Sequence, residues 1–411
     1  MRINRFLPFA FIYFFLNSLG LPFGLTWMAL LAPFLYMWVV LQRKKEILLP
    51  FLIILLPFIF IHITLVGVEL KTYAISLLNI IMVYVFCQAF YTFLKVCSDP
   101  EKIFRKILII NFIFCFIGII FFFTPWDHIF WINQELTKGV RDFRRFKLFS
   151  YEASYYATLF IPIFFFYLLQ YFFKQNRISN LLLLPMLFLP FILSFSIGVI
   201  GAGALAVAIT TLVYLRELLV KRRVLNAIIN IGAIVVAALF ILVLYFRHNP
   251  LFTRVLNIIS GTDTSAKGRT EDSFILAIRM LEEKNEWWGI GVGQIKLLGH
   301  DIIQGYYLYN MEFVATIPNA MAETLAIFGW CGFLLKLFIE LFLFIYTKVW
   351  TNYYRLMLFI FIFIYQFTGS FITNLAEYVI WILAFTNVFE QFDVKTNKKV
   401  NITLLQQPQL V

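Results

Sequence analysis

The sequence predicts an all-α polytopic membrane protein of about twelve transmembrane helices, forming a single integral membrane domain over residues 1–411. Three observations predict it. Only 14% of the residues are charged, where a soluble domain averages about 25%. Hydrophobic residues make up 62% of the chain, with 51 Phe among them. Apolar runs of about 17–25 residues also recur, each long enough to cross a hydrocarbon core of about 30 Å. Runs such as 107–125 and 224–246 do not alternate polar with apolar, which excludes the strands of a barrel.

The first run, 6–20, follows Arg2 and Arg5 as a signal peptide would. It lacks an Ala-x-Ala-type cleavage site and more spans follow at once, so it is expected to be a retained helix. Further spans are expected at 24–42, 47–66, 73–95, 107–124, 154–173, 181–196, 199–215, 224–246, 321–347, 354–370 and 376–390. With the amino terminus inside, compact basic clusters fall on the inner side: Arg43-Lys44-Lys45, Lys102 with Arg105-Lys106, Arg216 with Lys221-Arg222-Arg223, and Lys395 with Lys398-Lys399. Short outer turns carry almost none. This positive-inside pattern sets both termini in the cytoplasm. It also explains the net charge of +12 as topology, so no nucleic-acid partner is expected.

Cys87, Cys115 and Cys331 fall in apolar spans and Cys97 in an inner turn, with no disulfide framework. His128, His248 and His300 lack clustered metal-ligating partners. Neither a metal site nor a cofactor is expected.

Two outer segments carry the polar residues. The first, 126–153, is short enough for the positive-inside rule to count, yet it holds Lys138, Arg141, Arg144, Arg145 and Lys147. One reading is an ordinary polar cap, with Asp127, Glu135, Asp142 and Glu152 balancing the cations. The other is an anion site. A helix over 140–149 would set Arg141, Arg144 and Arg145 at i, i+3 and i+4 on one face, where three guanidinium groups suit a diphosphate at headgroup level.

The second segment, 247–320, is the only long hydrophilic stretch. Phe274, Ala277, Ile278 and Leu281 recur at helical spacing, predicting an amphipathic helix over 271–286 with Glu271 and Asp272 at its positive end. Arg279 lies in line with Asp272 and Glu283, where an intrahelical salt bridge competes with a role in anion binding. Arg269 has no such partner four residues away, follows Gly268 and precedes the helix, which makes it the stronger binding candidate. Gly289-Ile290-Gly291-Val292-Gly293, flanked by Trp287 and Trp288, reads as a tight interfacial turn, since no Walker Lys-Ser pair follows. Tyr306, Tyr307 and Tyr309 suit either stacking on sugar rings or packing of the segment. Inside the spans, Lys336 and Glu340 are spaced for an i, i+4 pair, with a proton relay as the alternative. His62 is expected to be packed or hydrogen-bonded, and Gly198, Gly201 and Gly203 to allow close helix approach.

In order, these features resemble the O-antigen polymerases of the lipid-linked oligosaccharide polymerase and ligase superfamily. The resemblance rests on topology and on three motifs. Arg145 followed by Glu152-Ala153-Ser154 is similar to an arginine and Glu-Pro-Ser element, with Ala153 in the proline position. Gly268-Arg269, the amphipathic helix and the Gly289–Gly293 run resemble the arginine–helix–Gly-x-Gly pattern of the long loop. Pro318-Asn319, with Glu323, Gly329 and Gly332, resembles the asparagine-led opening of the next span. Two positions depart: Pro318 stands where ligase-type members carry His, and Ser196-Ile197-Gly198 where Ser-Arg-Gly is common.

The resemblance implies a fold like the polyprenyl-phosphate-dependent (GT-C type) glycosyltransferases, set in the bacterial inner membrane. Residues 126–153 and 247–320 would then be periplasmic loops. The implied reaction joins oligosaccharide repeat units carried on undecaprenyl diphosphate. Arg141, Arg144, Arg145, Arg269 and Arg279 would hold the diphosphate without a metal. Glu152 is the first candidate for general base and His300 the second, with Asn319 and Glu323 further site candidates. A chain-length regulator is an implied partner besides membrane lipid. An O-antigen ligase-type transferase is the nearest alternative, and a lipid-linked oligosaccharide flippase or secondary transporter the alternative of a different class.

Overall fold

An apolar chain in lipid has to satisfy its backbone hydrogen bonds within each segment, and helices do so. The structure, a computed structural model, is accordingly built of helices apart from one two-stranded ribbon among the residues it describes. These are 6–19, 21, 26–43, 47–134, 143–173, 180–215, 217, 256–258, 260–307 and 315–394. The expected span at 224–246 and residues Arg141 and Tyr309 lie outside them. Among the described residues, four helices are long and apolar enough to cross a membrane by length and composition: Leu70–Val96, Pro100–Phe121, Ala153–Phe173 and Ala320–Thr351. Bulky apolar side chains such as Phe34, Leu41, Phe60 and Phe338 face outward, a surface suited to lipid and costly in water.

The chain divides into two units, the first formed by Met1–Ser98, Asp263–Phe342 and Phe363–Val379. Its opening helix α1 (Phe6–Phe11) runs on through a π turn to Leu16, followed by α2 (Trp27–Leu30), α3 (Ala32–Arg43), α4 (Leu48–Thr64) and α5 (Leu70–Val96). Phenylalanines knit α1 to α5: the Phe9 ring lies 4.5 Å from that of Phe93 and 5.8 Å from that of Phe86. His62, fully buried in α4, is hydrogen-bonded to the Tyr73 hydroxyl and the Trp288 carbonyl, at 3.1 and 2.7 Å, as the packed reading expects.

The long polar segment folds onto this unit as α10 (Thr264–Arg269), α11 (Glu271–Glu282) and α12 (Leu298–Tyr307). Leu276, Ala277, Met280 and Leu281 of α11 are buried in a core shared with Ile290, Ile303, Leu325 and Ala326. Of the expected stripe, Ala277 and Leu281 lie in this core and Phe274 packs against it, whereas Ile278 is exposed, and the helix ends at Glu282, short of the expected 286.

The second unit comprises Asp99–Thr262, Leu343–Ile362 and Ile380–Val411. Asp99 caps α6 (Pro100–Phe121) by accepting from the Lys102 amide, and Pro100 sits in the first turn, where its missing N–H costs nothing. Helix α7 (Ala153–Phe173) is hydrophobic all round and buried along nearly its whole length, as befits the central rod of a bundle. Helices α8 (Asn180–Ser194) and α9 (Ile197–Val213) follow it. A Cβ added at Gly203 would meet Ile161 of α7 at 3.7 Å, whereas a Cβ added at Gly198 or Gly201 would meet no described residue beyond its own helix within 4 Å. Close approach at the glycine cluster is thus confined to Gly203.

Two expectations are corrected. Residues 143–146 form a strand, so the helix over 140–149 on which the anion-site reading depends does not form there. Strand β2 (Phe143–Phe146) pairs antiparallel with β1 (Trp131–Gln134), Trp131 opposite Phe146 and Ile132 opposite Arg145. The reason lies outside the local periodicity: Trp131 donates from Nε1 to the Gly118 carbonyl at 2.7 Å, and Phe146 fills the space that a side chain at Gly118 would take. The Trp131–Phe146 aromatic pair across the ribbon, packed on Gly118, outweighs the weak local preference for helix.

The second correction concerns the expected span 321–347. Helix α13 (Ala320–Tyr346) is broken at Gly329, whose φ is 63° and ψ −166°. Residues 286–291 dock into the break through backbone hydrogen bonds. Ile290 and Gly291 amides donate to the Ala326 and Ile327 carbonyls, and the Trp330 and Cys331 amides donate to the Glu286 and Trp287 carbonyls, all at 2.9–3.1 Å. Both the Met321 amide and the Glu340 carboxylate reach Gln366. In a straight helix their separation would be about 28 Å, so the chain turns sharply at Gly329. Broken helix backbone is tolerated at such depth only when other protein groups satisfy it, and segment 286–291 does so.

Candidate functional site

In the first unit the polar loop and the start of α13 meet through Asn319. Its side chain is fully buried. Oδ1 accepts from the Met321 and Ala322 amides at 3.1 and 2.9 Å, capping α13. Nδ2 donates to the Arg269 carbonyl at 2.8 Å and to the Phe367 carbonyl at 2.7 Å. One amide group thereby ties the arginine, the broken helix and the segment after α14 (Tyr353–Tyr365). Asparagine is required because a carboxylate in its place would turn two donors into acceptors facing carbonyls. Asn319→Ala should cost about 2–4 kcal/mol, a lost cap plus buried carbonyls left without donors. Detergent-solubilised protein should melt markedly lower, and an unchanged melting temperature would refute the tie.

Glu323 lies one turn into α13, and its Oε2 accepts from the Ile372 amide at 2.7 Å. Arg269 ends α10 half-buried, its carbonyl held as described. On α11, Asp272 is buried and accepts from two hydroxyls, Tyr306 on Oδ1 and Tyr307 on Oδ2, both at 3.0 Å. Arg279, exposed, lies over the Tyr306 ring at 4.9 Å. The alignment of Arg279 with Asp272 along the helix is therefore not what occupies Asp272, and the arginine is held by a cation–π contact. Sequence reasoning missed Asp272 as an organising residue, because its partners lie 34 and 35 residues away.

His300, the second base candidate, sits on α12, half-exposed, with Nδ1 3.3 Å from the Asp301 carboxylate. The first unit thus brings Arg269 and Asn319 together, and gathers Asp272, Arg279, Tyr306 and Tyr307 on the neighbouring helices α11 and α12.

The glycine run has a structural task here. Gly289 has a φ of 81°, and a Cβ on it would overlap the Ile327 carbonyl. It belongs to the docking of 286–291 into the break.

Within the second unit, β2 turns its two arginines to opposite faces, as adjacent strand residues must. Arg144 points outward and pairs with Asp127 at 3.0 Å, with its guanidinium 5.2 Å from the Phe122 ring. The polar-cap reading describes this pair. Arg145 is buried, and its Nε donates to the Ser194 carbonyl at 2.9 Å. That carbonyl closes α8, two residues before the Ser196-Ile197-Gly198 departure. The expected common face of Arg144 and Arg145 does not form, since it required helical geometry; Arg141 lies outside the described residues. Beside them, partial burial pushes the Lys147 ammonium below its ordinary pKa. Glu152 immediately precedes α7, its carbonyl accepting from the Tyr156 amide and from Ser150 Oγ.

Among buried ionisable residues, the expected Lys336–Glu340 pair is replaced. Lys336 Nζ lies 3.4 Å from Glu377 Oε1 on α15 (Leu375–Phe385), and Glu340 accepts from Gln366 instead, at 2.8 Å. A partly buried lysine takes the carboxylate that tertiary packing brings to it, and local spacing does not decide. Among the described residues no three His, Cys, Asp or Glu side chains form a group able to hold a metal ion. No family model matches the chain, and neither does any curated protein.

Proposed function

We propose that this chain polymerises oligosaccharide repeat units carried on undecaprenyl diphosphate, at the periplasmic face of a bacterial inner membrane. About twelve spans would form a fold like the polyprenyl-phosphate-dependent (GT-C type) glycosyltransferases. The observation that carries the reading is the Asn319–Arg269 hydrogen bond. Two motifs of the resemblance, 50 residues apart in sequence, meet at 2.8 Å. In this reading Arg269, with Arg279 nearby along the chain, holds diphosphate oxygens. Arg141, Arg144 and Arg145 remain candidates for phosphate contacts of their own.

The chemistry asks little more of the protein. A hydroxyl oxygen of the acceptor sugar attacks the anomeric carbon of the donor. The bond from that carbon to the diphosphate oxygen breaks, and the electron pair leaves with the diphosphate. Guanidinium groups stabilise the developing charge, while Glu152, or alternatively His300, takes the hydroxyl proton. A chain-length regulator is the expected protein partner.

Deletion of the gene should leave a single repeat unit attached to the lipid core in an electrophoretic ladder assay. Absence of every unit would point to a ligase-type transferase, which Pro318 in place of His argues against.

The break at Gly329 and the pair of Lys336 with the buried Glu377 favour a second reading, a transporter of lipid-linked oligosaccharide, because discontinuous helices and buried ionisable groups line such pathways. Accumulation of repeat units on the cytoplasmic side after deletion would support it against the polymerase.

A further inference from the structure

The polymerase reading leaves one group of side chains unused, inside the first unit. Glu340 on α13 and Gln366 just after α14 are both buried, at 5% and 0% exposure. Gln366 Nε2 donates to Glu340 Oε2 at 2.8 Å. Glu340 Oε1 and Gln366 Oε1 are left with no hydrogen-bond partner. Both are acceptors, so neither can satisfy the other while the carboxylate is ionised. A buried polar atom left in this state costs roughly 1–3 kcal/mol.

These two oxygens are the remaining atoms of a carboxyl–amide pair. A single proton on Glu340 Oε1 makes that atom a donor whose complement is Gln366 Oε1, and both are then satisfied. The surrounding charges agree. Lys336 and Glu377 lie within electrostatic reach of Glu340, but Lys336 is committed to Glu377 at 3.4 Å. Among the described residues, Glu323, Glu377 and Cys87 are further titratable groups around this face, together with Lys296, which acts on Glu323, and Tyr378, whose hydroxyl donates to the Ile372 carbonyl. Lys336 therefore lies among Glu323, Glu340 and Glu377 and contacts only the last of them, while Lys296 acts on Glu323, so an ionised Glu340 would have to share its cation with Glu377. A metal ion is the poorer occupant, since no three acidic, His or Cys side chains group to hold one among the described residues.

We propose that Glu340 and Gln366 form a proton-binding site inside the membrane, in which one proton on Glu340 Oε1 closes a two-hydrogen-bond carboxyl–amide pair. The bound proton neutralises a charge that costs about 2.5–3.5 kcal/mol at the bilayer centre. It also joins the second part of α13 to the segment 366–369, whose Gln366 and Gly369 carbonyls accept from the Met321 and Ala320 amides. Loss of the proton would loosen the fold around the Gly329 break. The proposal holds for either function considered above.

Infrared difference spectroscopy of the purified full-length chain in lipid nanodiscs tests it. At near-neutral pH the wild type should show a protonated-carboxyl C=O stretch that shifts in deuterium oxide. Glu340→Gln should lose that band. Gln366→Leu should keep it, displaced to higher frequency because its hydrogen-bond partner is gone, and this variant decides the matter if Glu340→Gln does not fold. The proposal is overturned by a wild-type spectrum without the band, by a band that survives in Glu340→Gln, or by a band in Gln366→Leu that has not moved. A carboxylate spectrum that responds to sodium chloride would replace the proton by a metal cation and overturn it equally.

Discussion

Arg269→Ala, expressed at the wild-type level in a polymerase-deficient host, should abolish the long ladder of polymer and leave the single-unit band. The expected loss is about 10²–10³-fold in polymer formed, the size of effect seen when one donor to a developing anion is removed. The side chain is the only thing removed, because the bond that Asn319 makes is to the Arg269 backbone carbonyl. The tie from Asn319 should therefore persist in the variant, and elution and melting in detergent report what else the side chain holds. Arg269→Lys should restore part of the activity, since a lysine supplies charge without the planar two-pronged donor set. A full ladder from Arg269→Ala would remove this residue from the diphosphate site. A variant that loses both ladder and fold would instead mark the arginine as structural.

The largest effect on stability is expected at Gly329. Its backbone conformation is one that essentially only glycine adopts, and it costs other residues about 1–3 kcal/mol or more. A Cβ there would also overlap the Trp287 carbonyl of the docked segment. Moving that segment breaks four backbone hydrogen bonds at once. Gly329→Ala should thus cost several kcal/mol in total, beyond the ordinary range of single substitutions, and yield little monodisperse protein by size-exclusion chromatography. Gly261→Ala is the matched comparison. Gly261 also has a positive φ, 73°, but no described residue lies within 4 Å of a Cβ placed on it. Equal losses in the two variants would show that backbone strain alone is at work and that docking of 286–291 contributes nothing.

These two residues were legible in the sequence to different degrees. Gly268-Arg269 directly before an amphipathic helix marks Arg269, which has no acidic residue four positions away in the sequence. Gly329 was noted only as part of a glycine-spaced span opening. Nothing in an apolar run of that length announces a break, because the break is held by backbone atoms of residues 286–291, which the pattern of side chains does not encode.

What the sequence determines by itself here is whatever depends on solvent preference and local period. The charge deficit and the apolar runs dictate a helical chain suited to a membrane. The 3.6-residue spacing of Phe274, Ala277, Ile278 and Leu281 dictates α11, and Asn319 before Ala320 marks the start of α13. Tertiary structure decides the pairings. Arg144 and Arg145 part company because Trp131 and Phe146 pair around Gly118, Lys336 finds Glu377 in place of Glu340, and Glu340 is left to Gln366. Each of these choices compares a local contact worth tenths of a kcal/mol with burial, ribbon pairing or charge compensation worth more. The larger quantity is fixed by residues distant in the chain, so only the folded arrangement reveals it.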